Sequence, residues 1–240
     1  MMNKKMIIRA VSIVAALIIL ITCVILSGID KRNVSSKYAP LKEYVSEILD
    51  EEDSNFDGAF ELAIKTSARV ERGDVFGSGN IYAITENEVI LVTAYHVLSE
   101  SEDPIKVTFW NYKEYDAEIF GVDEALDIAF LRSEPEINSL FKSVYIDGIA
   151  PAIGEEVLVI DPYINKASIG FVENPKVFVE SFNMDMIKCM CVGNPGMSGS
   201  GLFNERGIFL GIVIAGGDDG SIVCADVNAI NKVYENVVKK

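Results

Sequence analysis

Ser198 sits in Gly193-Asn194-Pro195-Gly196-Met197-Ser198-Gly199-Ser200-Gly201, between two apolar runs. The run before it, Met186–Val192, reads as a strand, and so does Phe209–Ile214 after a turn at Asn204-Glu205-Arg206-Gly207. Glycines on both sides of the serine allow positive φ and close approach of another chain. A loop of this kind can aim two backbone N–H groups at one point, as an oxyanion hole requires. A glycine-rich hairpin with a solvent-facing serine has the same composition, so the loop alone does not decide. The histidine count sharpens the reading. A serine hydroxyl needs an adjacent base to act as a nucleophile at neutral pH, and the chain has one histidine, His96, just past the apolar run Val89–Ala94. A third group must orient the imidazole. Asp127 is the charged residue that enters the apolar run Ile128–Leu131, and a carboxylate placed there needs a partner. The order along the chain is His, Asp, Ser.

That order excludes some rivals. In α/β-hydrolases the histidine follows the serine, and here no histidine follows a serine on a suitable loop. The subtilisin order, Asp, His, Ser, is kept formally open by Asp74. Many short β runs without alternating helices count against it. Cys189 and Cys191 are alternative nucleophiles, but they fall on the strand before the loop, which favours Ser198.

Three blocks, TAYHVL, LDIAFL and NPGMSGSGLF, resemble the catalytic blocks of chymotrypsin-fold serine proteases, and GSGNIYAI (Gly77–Ile84) resembles the entry strand of the bacterial HtrA branch. The resemblance covers roughly residues 60–230. It implies an all-β fold of two six-stranded antiparallel barrels, with Ser198 as nucleophile, His96 as base and Asp127 orienting the ring. It further implies an oxyanion hole at the backbone of Gly196, Met197 and Ser198, with the N–H groups of Gly196 and Ser198 as donors and that of Met197 between them. The primary substrate pocket falls at Val192, Ile214, Ala215 and Gly216, none charged. The implied activity is hydrolysis of polypeptide substrates, with no cofactor and no metal. A catalytically silent binding module on the same fold is the main alternative. Two positions depart from the usual pattern: Met197 stands where Asp or Asn precedes the nucleophile, and Ser200 replaces a glycine, as in the glutamyl endopeptidases. Met197 cannot pair with a new amino terminus, so the loop must be ordered by Asn194, by the fixed φ of Pro195 and by packing of Met197. HtrA relatives carry a PDZ domain after the barrels, and the sequence here leaves no room for one. A homo-oligomer is left open, with no count carried over.

The elements that must hold these residues follow from the patterning. Residues 1–9 carry Lys4, Lys5 and Arg9, and 10–29 are uncharged. Twenty helical residues span a bilayer core. The run is longer than a signal-peptide core and ends in a poor cleavage site, so it reads as a transmembrane anchor with a cytoplasmic N-terminus and an extracytoplasmic domain. Residues 30–59 read as a stalk ending in the acidic run Asp50–Asp53, and 60–240 as the protease domain. Within it, Phe60–Val70 reads as a short helix. Strands are expected at 79–84, 89–94, 105–110, 117–122 and 128–132, then at 156–160, 167–173, 177–182, 186–192, 201–203, 209–214 and 221–226. A short C-terminal helix follows over 228–238.

Half of the residues are hydrophobic, enough for a core, and the formal net charge is −15. Residues 33–240 hold 16 Lys and Arg against 35 Asp and Glu. That balance argues against nucleic-acid and anionic-headgroup binding by the domain. One histidine and few cysteines, without paired CxxC spacing, argue against structural zinc. Asp218-Asp219-Gly220 reads as an acidic hairpin turn rather than a calcium loop. Cys189 and Cys191 share a strand face by period two. By the resemblance that strand neighbours the one carrying Cys224, and both a bridge to Cys224 and three buried thiols stay open.

Overall fold

The computed structural model describes residues 56–163, 166–217 and 219–238. The expected anchor at 10–29 and most of the stalk lie outside them, and among the described residues no helix is long and apolar enough to cross a membrane.

The described chain opens with helix α1 (Asp57–Thr66). Ala59, Phe60, Ala63 and Ile64 form its buried face, and Glu61 and Lys65 pair one turn apart on the outer side. The helix stops because Thr66 and Ser67 turn their hydroxyls back onto Ala63 O. Six strands follow: β1 (Ser67–Arg72), β2 (Val75–Ile84), β3 (Val89–Ala94), β4 (Ile105–Phe109), β5 (Glu114–Asp123) and β6 (Ile128–Ser133). They close into an antiparallel barrel in the order β1-β2-β3-β6-β5-β4. β3 is buried along its whole length, and its end leads into the short helix α2 (His96–Ser99).

A second closed barrel contains β7 (Glu156–Asp161), β8 (Lys166–Val179), β9 (Met184–Met190), β10 (Gly201–Asn204), β11 (Phe209–Gly216) and β12 (Ser221–Asp226), ordered β10-β11-β12-β9-β8-β7. Its core gathers Val157, Val159, Val172, Ile187, Leu202 and Val213 with three cysteines and Met197. Helix α3 (Val227–Val238) then returns to the first barrel. There Tyr234 packs on Tyr82 and Phe130. Two six-stranded barrels with a C-terminal helix are thus the architecture expected from the sequence.

Two local expectations need correction. The helix expected over Phe60–Val70 ends at Thr66, and Ser67–Arg72 is a strand. Only Ala68 and Val70 mark its inward face, too short an alternation to stand out. It becomes a strand because barrel closure pairs it with β2 on one side and β4 on the other. The two strands expected at 167–173 and 177–182 are one, β8. Its pairing with β9 shifts between Val172 and Asn174 and again between Asn174 and Val177. Pro175, which lacks an N–H, sits in that irregular stretch, where no ladder bond is lost.

Candidate active site

Asp127 closes the β5–β6 connection at φ +53°, a left-handed conformation that Asp tolerates better than most residues. This bend points both carboxylate oxygens at His96. Oδ1 accepts the His96 backbone N–H at 2.7 Å and Oδ2 contacts Nδ1 at 2.6 Å. The Asp127 carbonyl in turn accepts the Tyr95 N–H at 3.0 Å, so Tyr95 and His96 are clasped from main chain and side chain together. Arg72 of β1 donates to Leu98 O at 2.6 Å and fixes the short helix from its other side. The Asp127 side chain is 8% exposed and that of His96 44%. The hydrogen bond to Asp127 is the main cause that raises the imidazole pKa above 6.5, against a smaller opposing effect of burial. With Nδ1 facing a carboxylate, the neutral ring carries its proton there, which leaves the Nε2 lone pair for another partner.

The serine loop is built from two consecutive turns. Met197 N–H donates to Asn194 O at 3.0 Å, and Ser200 N–H to Met197 O at 2.9 Å. Pro195 and Gly196 occupy the centre of the first, with Gly196 at φ +96°; Ser198 and Gly199 occupy the centre of the second, with Gly199 at φ +85°. Positive φ at the third position is the type II requirement, and Pro before Gly meets it in the first turn. Gly199 has a second reason to be glycine: a Cβ there would sit 2.0 Å from Ser78 O and 2.6 Å from Thr93 Oγ1.

The first barrel grips this loop through β2. Ser78 N–H donates to Ser198 O at 2.7 Å. Ser78 Oγ donates to Gly196 O at 2.7 Å, and Asn80 Nδ2 to Gly199 O at 2.9 Å. Thr93 Oγ1 donates to Ser78 O at 2.6 Å and holds that strand in turn. On the second barrel, Gly199 N–H bonds Val213 O at 2.8 Å, and Ser200 Oγ bonds Ile160 O at 2.7 Å. Met197 is 1% exposed within the second core, and its Sδ accepts the Asn194 N–H at 3.1 Å. Asn194 and Met197 therefore order the loop as the sequence implied.

The residues picked from sequence are brought together unevenly. His96 and Asp127 are in direct contact. Ser198 lies on the loop docked against β2 and the end of β3, where the Cβ missing from Gly199 would be 3.0 Å from Ala94 N. Among the described residues the N–H groups of Gly196 and Ser198 have no backbone acceptor, whereas that of Met197 is taken by Asn194. Val192 is 61% exposed, but Ile214 is buried at 2%. The chain at Gly193 runs beside Gly216, whose Cα would lie 4.0 Å from a Cβ at Gly193. Cys189, Cys191 and Cys224 are buried free thiols, the second of the two alternatives left open. Burial pushes Cys189 up to about 12 and Cys224 well above the ordinary range, so neither is poised as a nucleophile. Asp219 accepts the N–H and hydroxyl of Ser221, a turn role that uses its carboxylate.

Sequence reasoning missed Ser78, Asn80, Thr93 and Arg72 as positioning residues. Ser78, Asn80 and Thr93 are fully or almost fully buried. Polar side chains at inward positions of otherwise apolar strands were the signal available.

The trypsin-like peptidase domain matches residues 77–212, more than half of the chain. The chain belongs to this family. Proteins named "Serine protease HtrA-like" from Staphylococcus aureus are similar to it. That of strain bovine RF122 / ET3-1 is 27% identical over 157 residues, and that of strain USA300 is 27% identical over 156. In each case 59% of this chain is matched to 20% of the relative, so the match spans about a fifth of the relatives' length. The HtrA-type trypsin-like resemblance noted from the four sequence blocks is borne out, and the family match begins at Gly77, the first residue of the entry-strand block.

Proposed function

We propose that this trypsin-like domain is a serine endopeptidase in which Ser198 is the nucleophile, His96 the general base and acid, and Asp127 the residue that positions His96. The observation that carries the reading is the double clasp of His96 by Asp127, together with the hydrogen-bonded loop that bears Ser198 and docks against the end of β3, the strand that leads to His96. Ser198 Oγ attacks the peptide carbonyl and passes its proton to His96 Nε2. The carbonyl oxygen takes up negative charge between the N–H groups of Gly196 and Ser198. Collapse breaks the C–N bond, and His96 returns the proton to the leaving amine. Water, deprotonated by His96, then cleaves the acyl-serine ester and restores the enzyme. Throughout, the Asp127 carboxylate offsets the imidazolium charge.

The pocket before the cut would be walled by the backbone at Val192 and at Ala215–Gly216. With no charged side chain assigned to it, this wall favours apolar or small residues at that position. Met197, already packed in the core, removes the need for a freed amino terminus, and the uncleaved chain is active on this account. Residues 10–29 would anchor the protein in a membrane with the domain outside the cytoplasm, a reading that rests on their hydropathy and flanking charges. The test is peptidase activity of the purified chain on a peptide library. Ser198→Ala and His96→Ala are expected to remove nearly all of it. Wild-type turnover in Ser198→Ala would refute the mechanism, and a library dominated by Lys, Arg or Glu before the cut would refute the apolar pocket alone.

A further inference from the structure

We propose that Val237, seated on Gly121, is a positioning residue for Asp127, so that helix α3 buttresses the turn that aims the Asp127 carboxylate at His96. A Cβ at Gly121 would fall 2.2 Å from Val237 Cγ2 and 2.4 Å from Cγ1, so the valine fills the space where a side chain at 121 would stand. The pairing of β5 with β6 shifts between Ile119 and Gly121, and a bulge of this kind bends its strand. Gly121 follows the bend, and Val122 and Asp123 carry the strand on to the turn. Those two residues line one solvent-open cleft with Val233, Asn236 and Val237 of α3. The helix is itself pinned, since the Tyr82 hydroxyl donates to Asn231 and Tyr234 packs on Phe130. Within itself the turn is loosely tied. Asp123 Oδ1 accepts the Leu126 N–H at 3.1 Å, Tyr95 Oη donates to Glu124 at 3.2 Å, and the Asp127 N–H reaches Glu124 O at 3.3 Å. The turn ends on Asp127 at φ +53°, a conformation that persists only where the surroundings hold it. Gly121, Val122 and Asp123 pair with Phe130, Ala129 and Ile128 across the turn, so a strand displaced at Gly121 carries the turn with it.

His96 is the one histidine of the chain, so a proton NMR titration of the full chain reads its imidazole alone, with or without turnover. The hydrogen bond from Asp127, and the charges of Asp127 and Glu100, raise the pKa of that ring above 6.5. In Gly121→Ala the added methyl and Val237 cannot share one space. The imidazole pKa is expected to fall toward 6.5, and peptide turnover to fall by about 10- to 100-fold with KM little changed. Adding Val237→Gly, which vacates the space, should restore most of both; a fold that was merely weakened would not be mended by a second destabilising change. A folded Gly121→Ala variant with the wild-type pKa, or a double variant no better than the single one, would overturn the proposal. Where Gly121→Ala does not fold, Val237→Ala decides. It withdraws two methyls from the seat and should lower the pKa, and an unmoved value would overturn the proposal. The effect on turnover rests on the peptidase reading, and the effect on the ring does not. The expected pKa shifts in a chain without turnover would support the buttress and overturn that reading.

Discussion

The two barrels hold the serine loop by different means. The first uses hydrogen bonds: Ser78 and Asn80 meet the carbonyls of Gly196, Ser198 and Gly199 one by one. The second mostly uses packing, with Met197 sunk among aliphatic side chains and thiols. Hydrogen bonds are directional and fix peptide orientation; packing is non-directional and fixes depth. A loop that must present N–H groups at a set angle needs the first. A loop that lacks an ion pair to anchor it needs the second. The same split runs through the candidate site, where the first barrel supplies the hydrogen-bonded His96–Asp127 pair and the second supplies a core whose thiol pKa values are pushed up by burial.

The comparison can be broken at either barrel. The largest effect is expected at the His96–Asp127 pair of the first barrel. Asp127→Asn keeps the shape but favours the wrong imidazole tautomer, and turnover should fall by about 10⁴; steady-state kinetics on a peptide substrate measure it. Met197→Ala removes the packed anchor and should cost about 2–5 kcal/mol in urea unfolding. If packing rather than an ion pair holds the loop, Met197→Leu recovers most of that loss. Asn80→Ala leaves Gly199 O without its donor and should cost about 1–3 kcal/mol, with a fall in turnover at unchanged KM if the loop tilts.

The smallest effect is the pH dependence of stability. The His96 pKa is raised in the folded state. Its contribution is therefore fully present below the unfolded value of about 6.5 and is lost as pH rises through the higher folded value. The gap in urea midpoint between wild type and His96→Gln should be wider at pH 6 than at pH 9. A gap that widens toward pH 9 would contradict the assigned direction.

Much of this was legible in the sequence because it rests on local or compositional signals. One histidine, one aspartate at the head of an apolar strand and a serine in a glycine-rich loop, Ser198, are visible without a fold. Val89–Ala94 and Ser221–Asp226 were bounded correctly because their patterning is strong. β1 was not, since its six residues become a strand only through partners 3 to 13 positions away on one side and 33 to 41 on the other. The unbroken β8 was hidden by Pro175, which reads as a stop unless a bulge is foreseen. The grip of Ser78 and Asn80 on residues 118 and 119 positions later was equally out of reach. Buried polar side chains announce that a partner exists and not which one.

The measurement that bears most directly on the central claim is covalent labelling by a fluorophosphonate, with the adduct mapped by mass spectrometry and its rate followed from pH 5 to 9. On the proposed mechanism neutral His96 is the active form, so the rate should rise with pH through a single pKa above 6.5. One adduct, on Ser198, is expected, and none in Ser198→Ala or His96→Ala. Labelling of another residue, or an undiminished rate in His96→Ala, would contradict the account.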